Sequence, residues 1–142
     1  MDDIYNDLIM EHSMNSYNKK EIECDYKELG HNPSCGDEIT LYLKLDGNII
    51  KDASFTGSGC AISQSSTSIM IDVLKGKTIL EAYEIIDIFK RMIKREELSN
   101  DELDKLNLAL AFKNISNMPA RVKCVLLPFN TMKIILDNNC NK

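Results

Sequence analysis

The stretch Ile39-Thr40-Leu41-Tyr42-Leu43-Lys44-Leu45-Asp46-Gly47-Asn48-Ile49-Ile50-Lys51-Asp52-Ala53-Ser54-Phe55 decides the fold class. Ile39, Leu41, Leu43 and Leu45 alternate with Thr40, Tyr42 and Lys44, the two-residue period of a strand with one buried face. Asp46-Gly47 turns the chain, because tight hairpin corners require positive φ and this dipeptide accepts it. Ile49, Lys51, Ala53 and Phe55 then read as the returning strand. The hairpin is followed by Gly57-Ser58-Gly59-Cys60. Beyond it, Ile62, Ile69, Met70 and Val73 are spaced for a helix over 61–75 that ends at Gly76.

Further along, Thr78 and Glu81 have capping-box spacing. The stripe Ala82, Ile85, Ile86, Phe89, Met92 and Ile93 predicts a long amphipathic helix behind them. Ser99 and Glu102 repeat the arrangement, with Leu103, Leu106 and Leu110 marking a helix to about Lys113. A last helix is expected over 121–136, regular from about Cys124, since Pro128 removes a backbone donor and suits a helix start or a kink. Before the hairpin, Ile4, Leu8, Ile9 and His12 predict an N-terminal helix over 2–15. Residues 16–36 read as loop, with a short strand around Ile22–Tyr26 and Gly30–Gly36 irregular. The expected fold is a single α+β domain over 1–142, a small antiparallel sheet of about three strands with helices on one face.

The chain of 142 residues carries 44% hydrophobic and 27% charged residues, which argues against disorder. A net charge of −5 sets non-specific binding to nucleic acid at a disadvantage, because such binding neutralises phosphates. Met1-Asp2-Asp3-Ile4 lacks the basic and apolar pattern of a secretory signal, and the longest uncharged stretch, Ala53–Ile71, is too rich in Ser, Thr and Gly to span a membrane. The expected location is therefore the cytoplasm, without membrane or nucleic-acid partners. In such a reducing compartment five cysteines favour metal or catalytic roles over disulfides.

Three of the five stand at edges of regular structure: Cys35 before the hairpin, Cys60 at the strand-to-helix junction and Cys124 opening the last helix. Their separations match no paired zinc-finger spacing. Two local features raise their weight. Cys35-Gly36-Asp37 offers a thiolate and a carboxylate across a flexible glycine. Gly57-Ser58-Gly59 permits close backbone approach before Cys60, where a helix N-terminus favours the thiolate.

Asn32-Pro33-Ser34-Cys35-Gly36-Asp37, Gly57-Ser58-Gly59-Cys60-Ala61-Ile62-Ser63 and Pro119-Ala120-Arg121-Val122-Lys123-Cys124 resemble, in order and spacing, the three cysteine motifs of the IscU/NifU N-terminal-domain iron–sulfur assembly proteins. Where the scaffold branch of that family carries histidine before the third cysteine, this chain has Lys123, which is similar to the SufU branch of zinc-binding sulfur carriers. The resemblance implies a metal site of Cys35, Asp37, Cys60 and Cys124, with Cys35 accepting sulfur from a cysteine desulfurase for a downstream iron–sulfur scaffold complex. Three thiolates and a carboxylate suit four-coordinate Zn²⁺. Arg121 and Lys123 would face the partner and offset the site's negative charge. The same residues are open to a second reading, a scaffold for a transient [2Fe–2S] cluster or iron, and to a third, a structural zinc module.

Cys24 and Cys140 match no motif and read as bystanders. His12 and His31 read as ordinary polar residues. Lys90, Arg91, Lys94 and Arg95 read as helix-end cations beside the acidic start of the next helix, and the Ser63–Ser68 run as small side chains that let a helix pack closely.

Overall fold

The computed structural model describes residues 2–14 and 16–140. Met1, Asn15, Asn141, Lys142 and the side chains of Asp2, Asp3 and Ile4 lie outside the description. Strands β1 (Tyr26–Asn32), β2 (Asp37–Asp46) and β3 (Ile49–Ser58) form an antiparallel sheet in the order β1-β2-β3. Helices α1 (Asp2–Met14), α2 (Ala61–Leu74), α3 (Ile79–Ile93), α4 (Asn100–Leu106) and α5 (Pro119–Asn139) accompany it, with short 3-10 segments at Asn107–Phe112 and Ile115–Asn117.

The β2–β3 hairpin forms where the alternation placed it. Ile39, Leu41 and Leu43 are fully buried, while Thr40, Tyr42 and Lys44 on the other face are half-buried. The returning strand departs from the expected alternation: a register irregularity at Lys44/Leu45 puts Ile50, not Ile49, into the core and leaves Lys51 exposed. Ile50, Ala53 and Phe55 supply the buried face of β3.

β1 corrects the reading of residues 16–36. The strand runs over Tyr26–Asn32, through residues expected as loop, and pairs Leu29 with Thr40 and Asn32 with Asp37. Its core-facing positions include Gly30 and Asn32 instead of large apolar residues, so no hydrophobic alternation announces it. Gly30 is required by α5: a Cβ there would collide with the side chain of Thr131 and press on Leu127. The missing side chain lets the helix lie directly on the strand.

α2 is the central helix, buried along almost its whole length, hydroxyl residues included. Ser65 Oγ donates to the Ala61 carbonyl at 2.7 Å, Thr67 Oγ1 to Ser63 O at 2.7 Å and Ser66 Oγ to Val125 O on α5 at 2.7 Å. These short side chains satisfy themselves and admit neighbouring helices, as expected. α1 is tied to α2 by a 2.6 Å hydrogen bond between His12 Nδ1 and Ser68 Oγ, and buried Asn18 donates to Asp72 Oδ1 at 2.9 Å. His12 is therefore a packing residue. The α3 stripe meets the rest of the core through Phe89, stacked on Phe129 with centroids 3.8 Å apart and edge-on to Phe112 at 6.4 Å.

Both expected capping boxes form, Thr78 with Glu81 and Ser99 with Glu102. The helix after Ser99 is shorter than expected. It ends at Leu106, where Asn107 takes φ +50°, and continues as 3-10 turns; Asn tolerates the left-handed region that stops an α-helix. Arg91 bonds both Asp87 and Glu102, and this contact and the Ser99 cap pull the Glu102 carboxyl down to about 2. Arg95 bonds Ser116 and Asn117. Arg91 thus serves the acidic start of α4, as read from the sequence, whereas Arg95 ties the end of α3 to the 3-10 turn before α5.

α5 starts earlier than expected, at Pro119 in its first turn, and continues unbroken past the interior Pro128. Cys124 therefore sits within the helix instead of opening it.

Candidate metal centre

The end of the sheet where β1 and β2 meet is closed by a tight connection. The Cys35 backbone N–H donates to Asn32 O at 3.3 Å across Pro33-Ser34, so the turn presents Cys35 at its tip. Asp37, the first residue of β2, follows and is fully buried. From the far side α5 delivers Cys124, also fully buried. Cys35 Sγ and Cys124 Sγ lie 3.1 Å apart. Donor atoms of Cys35, Asp37 and Cys124 all lie within 4.8 Å of one another.

Cys60 meets this triad from the start of α2. It is the N-cap, its Sγ accepting from Ser63 N at 3.4 Å. Its own backbone N–H donates to Asp37 Oδ1 at 2.9 Å, and Ser63 Oγ donates to the same oxygen at 3.1 Å. The second Asp37 oxygen accepts from Asn32 Nδ2 at 3.3 Å. Of the four candidate ligands read from the sequence, Cys35, Asp37 and Cys124 form the compact group. Cys60 adjoins it with its sulfur engaged as a helix cap.

Burial first, then hydrogen bonding to Cys35, Cys60 and Asp37, pushes the Cys124 thiol far above its ordinary range. Clustered acids in a dry site resist ionisation unless a cation is added. One cation is built in. Arg121 lies one turn before Cys124 on α5, and the nearby sulfurs of Cys124, Cys60 and Cys35 raise its own pKa. Lys123 is exposed and lines a separate shallow recess with His31, Pro33, Ser34, Leu126 and Asn130. Of the two expected partner-facing cations, Arg121 is the one that responds to the sulfurs, and Lys123 borders the Cys35 turn from outside.

The donor set fits a small tetrahedral cation. Bonds of about 2.3 Å place ligands about 3.8 Å apart, within the spread of the triad, and a divalent charge removes the penalty on ionising Cys124. Cys24 and Cys140 are half-buried and belong to no such group among the described residues; His31 is exposed on β1 opposite Glu38. Sequence patterning assigns Asn32 no role of its own and Ser63 only that of a small packing residue, yet both side chains hold Asp37. An Asn directly before Pro at a turn was the available signal for the first.

The chain belongs to the NifU-like N-terminal domain family, whose model matches residues 4–125. Relatives within this class carry two kinds of name. The chain is 38% identical over 133 residues to the zinc-dependent sulfurtransferase SufU of Bacillus subtilis, covering 94% of this chain and 89% of that protein. It is 37% identical over 131 residues to the iron–sulfur cluster assembly scaffold protein IscU of Thermotoga maritima, covering 92% and 90%. Among solved structures, an iron–sulfur cluster assembly scaffold protein for the SUF system from Fervidobacterium islandicum superposes with a TM-score of 0.87 at 42% identity, over 94% of this chain and 96% of that one. The N-terminal part of a NifU-like protein from Brucella abortus gives a TM-score of 0.81 at 26% identity, over 99% and 97%. The three-stranded antiparallel sheet with its helices is thus the α+β fold that the sequence motifs implied. No helix among the described residues is long and apolar enough to cross a membrane.

Proposed function

We propose that this chain is a single-domain sulfur acceptor of cytoplasmic iron–sulfur cluster biogenesis, holding Zn²⁺ with Cys35, Asp37, Cys60 and Cys124 and taking sulfur from a cysteine desulfurase onto Cys35. The observation that carries the reading is the unequal exposure of touching thiols. Cys124 is fully buried and Cys35, 3.1 Å away, stands partly exposed at a turn tip. A partner can reach one sulfur while the other stays in place. The zinc-dependent sulfurtransferase among the relatives supports the metal, and Lys123 supports it too, since an exposed ammonium adds no donor to the site.

Bound zinc would keep the thiols deprotonated at neutral pH. The chain's own residues do the rest. The Asn32–Cys35 turn keeps Cys35 partly exposed, and its thiolate attacks the outer sulfur of the desulfurase persulfide. One S–S bond breaks and one forms: Cys35 becomes the persulfide and the desulfurase cysteine leaves as thiolate. Arg121, beside Cys124, Cys60 and Cys35, offsets negative charge on the sulfurs during the exchange. The product then passes to a downstream iron–sulfur scaffold complex.

Elemental analysis of freshly purified protein is expected to give about one zinc per chain, and the protein to stimulate desulfurase turnover of cysteine. Cys35→Ala is expected to abolish the stimulation and the added sulfur mass on the tryptic peptide. No stimulation by the wild type removes the transfer role; stimulation that survives Cys35→Ala leaves a structural zinc module. The relative named as a scaffold favours a second reading, in which the same residues carry a [2Fe–2S] cluster as cargo. That reading predicts a brown protein after anaerobic reconstitution and little tightly held zinc.

A further inference from the structure

Asn32 is 5% exposed and closes β1 next to the candidate centre. Its side-chain nitrogen points at two of the donors: Nδ2 lies 3.3 Å from Asp37 Oδ2 and 3.7 Å from Cys124 Sγ. Its backbone carbonyl accepts the Cys35 N–H at 3.3 Å. One residue therefore touches three candidate ligands that reach the site from the turn, from β2 and from α5. The opposite Asp37 oxygen is occupied by Cys60 N and Ser63 Oγ, so the carboxylate is held on both sides and its plane is set by α2 and β1 together. A carboxamide suits this position because it donates two N–H groups without bringing a charge of its own.

We propose that Asn32 is the positioning residue of this centre: its carboxamide holds the Asp37 carboxylate and the Cys124 sulfur at ligand spacing, while its carbonyl fixes the turn that presents Cys35. The proposal rests on the zinc-site reading for its metal readout. It competes with a plainer role, in which Asn32 only fills space between β1 and α5. Groups that orient ligands by hydrogen bonds typically govern metal affinity by about 10–100-fold, whereas a space-filling residue is replaceable by an apolar side chain of equal size.

Asn32→Leu separates the two roles, because leucine keeps the volume and removes both N–H groups. Zinc affinity is measured by competition with a chromophoric chelator, and the ligand-field bands of the Co²⁺-loaded protein are recorded beside it. Asn32→Leu is expected to bind zinc about 10–100-fold more weakly and to shift the Co²⁺ bands. Binding within twofold of wild type with unchanged bands overturns the proposal. In metal-free protein, bridging of Cys35 to Cys124 by dibromobimane, mapped by peptide mass, is expected to slow about tenfold in the variant as the two sulfurs lose their fixed separation; an unchanged rate also overturns it. Should Asn32→Leu fail to fold by circular dichroism, Asn32→Ser, which keeps a donor, is expected to hold zinc more tightly than Asn32→Ala, and equal affinities reject the assignment. Neither arm uses the desulfurase, and the cross-linking arm uses no zinc. Wild-type protein that binds no zinc sinks the functional reading while the bridging rate still decides the role of Asn32.

Discussion

The first turns of α2 and α3 solve one problem with different chemistry. Each helix begins with N–H groups that lack partners within the helix. At α3 the side-chain answer is local. Thr78 Oγ1 accepts from Glu81 N at 3.1 Å and Glu81 Oε1 accepts from Thr78 N at 3.0 Å. The bond to the Thr78 backbone holds the exposed Glu81 carboxyl below its usual range. At α2 the cap is the Cys60 thiol, a weak acceptor at 3.4 Å from Ser63 N, and the Cys60 N–H is taken up by Asp37 from β2. The side-chain cap of α3 is complete within four consecutive residues, although the Ile79 N–H also donates to Asn48 O at the β2–β3 corner at 2.8 Å. The start of α2 depends on the sheet, and the dependence places a sulfur and a carboxylate side by side.

Backbone substitutions should expose the difference most strongly. Gly57, on the approach to α2, has φ +119°, and a Cβ there would run into the Glu38 backbone carbonyl. Gly57→Ala is expected to cost about 3 kcal/mol in denaturant unfolding. Gly76, on the approach to α3, has φ +83° with open space around it, and Gly76→Ala should cost about 1 kcal/mol. Equal costs would mean that the close β2–β3 approach at Gly57 adds nothing to the positive φ that both glycines share. Thr78→Ala comes next in size: losing the local cap is expected to lower stability by about 1 kcal/mol and leave zinc affinity unchanged. A loss of zinc with Thr78→Ala would break the separation between the two helix starts. The smallest stability effect belongs to Cys60→Ser, because a serine hydroxyl caps at least as well as a thiol. Unfolding should shift by no more than about 0.5 kcal/mol, while zinc affinity falls by tenfold or more. A destabilised Cys60→Ser protein that retains zinc would show that the thiol serves the helix and not the metal.

Much of this architecture was legible because its signals are local. Ile39, Leu41 and Leu43 declare their strand by alternation, and Thr78 with Glu81 declares its helix start by spacing. β1 was misplaced because Gly30 and Asn32 face inward without being apolar: one is shaped by Thr131 on α5, the other by Asp37 and Cys124. The helix after Ser99 was read too long because Leu103, Leu106 and Leu110 keep an apolar side across the change from α to 3-10 winding at Asn107. The interior Pro128 argues locally for a later helix start near Cys124, whereas the helix begins at Pro119, whose missing N–H costs nothing in a first turn.

The candidate centre divides in the same way. Residue type and motif nominated Cys35, Asp37, Cys60 and Cys124, since thiols are few in this chain and their local settings stand out in a linear text. Distance made them unequal. Folding brought Cys35 and Cys124 to 3.1 Å, buried one and left the other partly open, and put Arg121 rather than Lys123 under the influence of the sulfurs. Residue identities and short-range periodicity fixed which groups the chain has to offer and most of its elements, because those depend on neighbours a few positions away. Which thiol faces a partner, and that Asn32 spans three donors, was decided only when β1, β2 and α5 met, because hydrogen bonds and burial depend on distances that no spacing along the chain encodes.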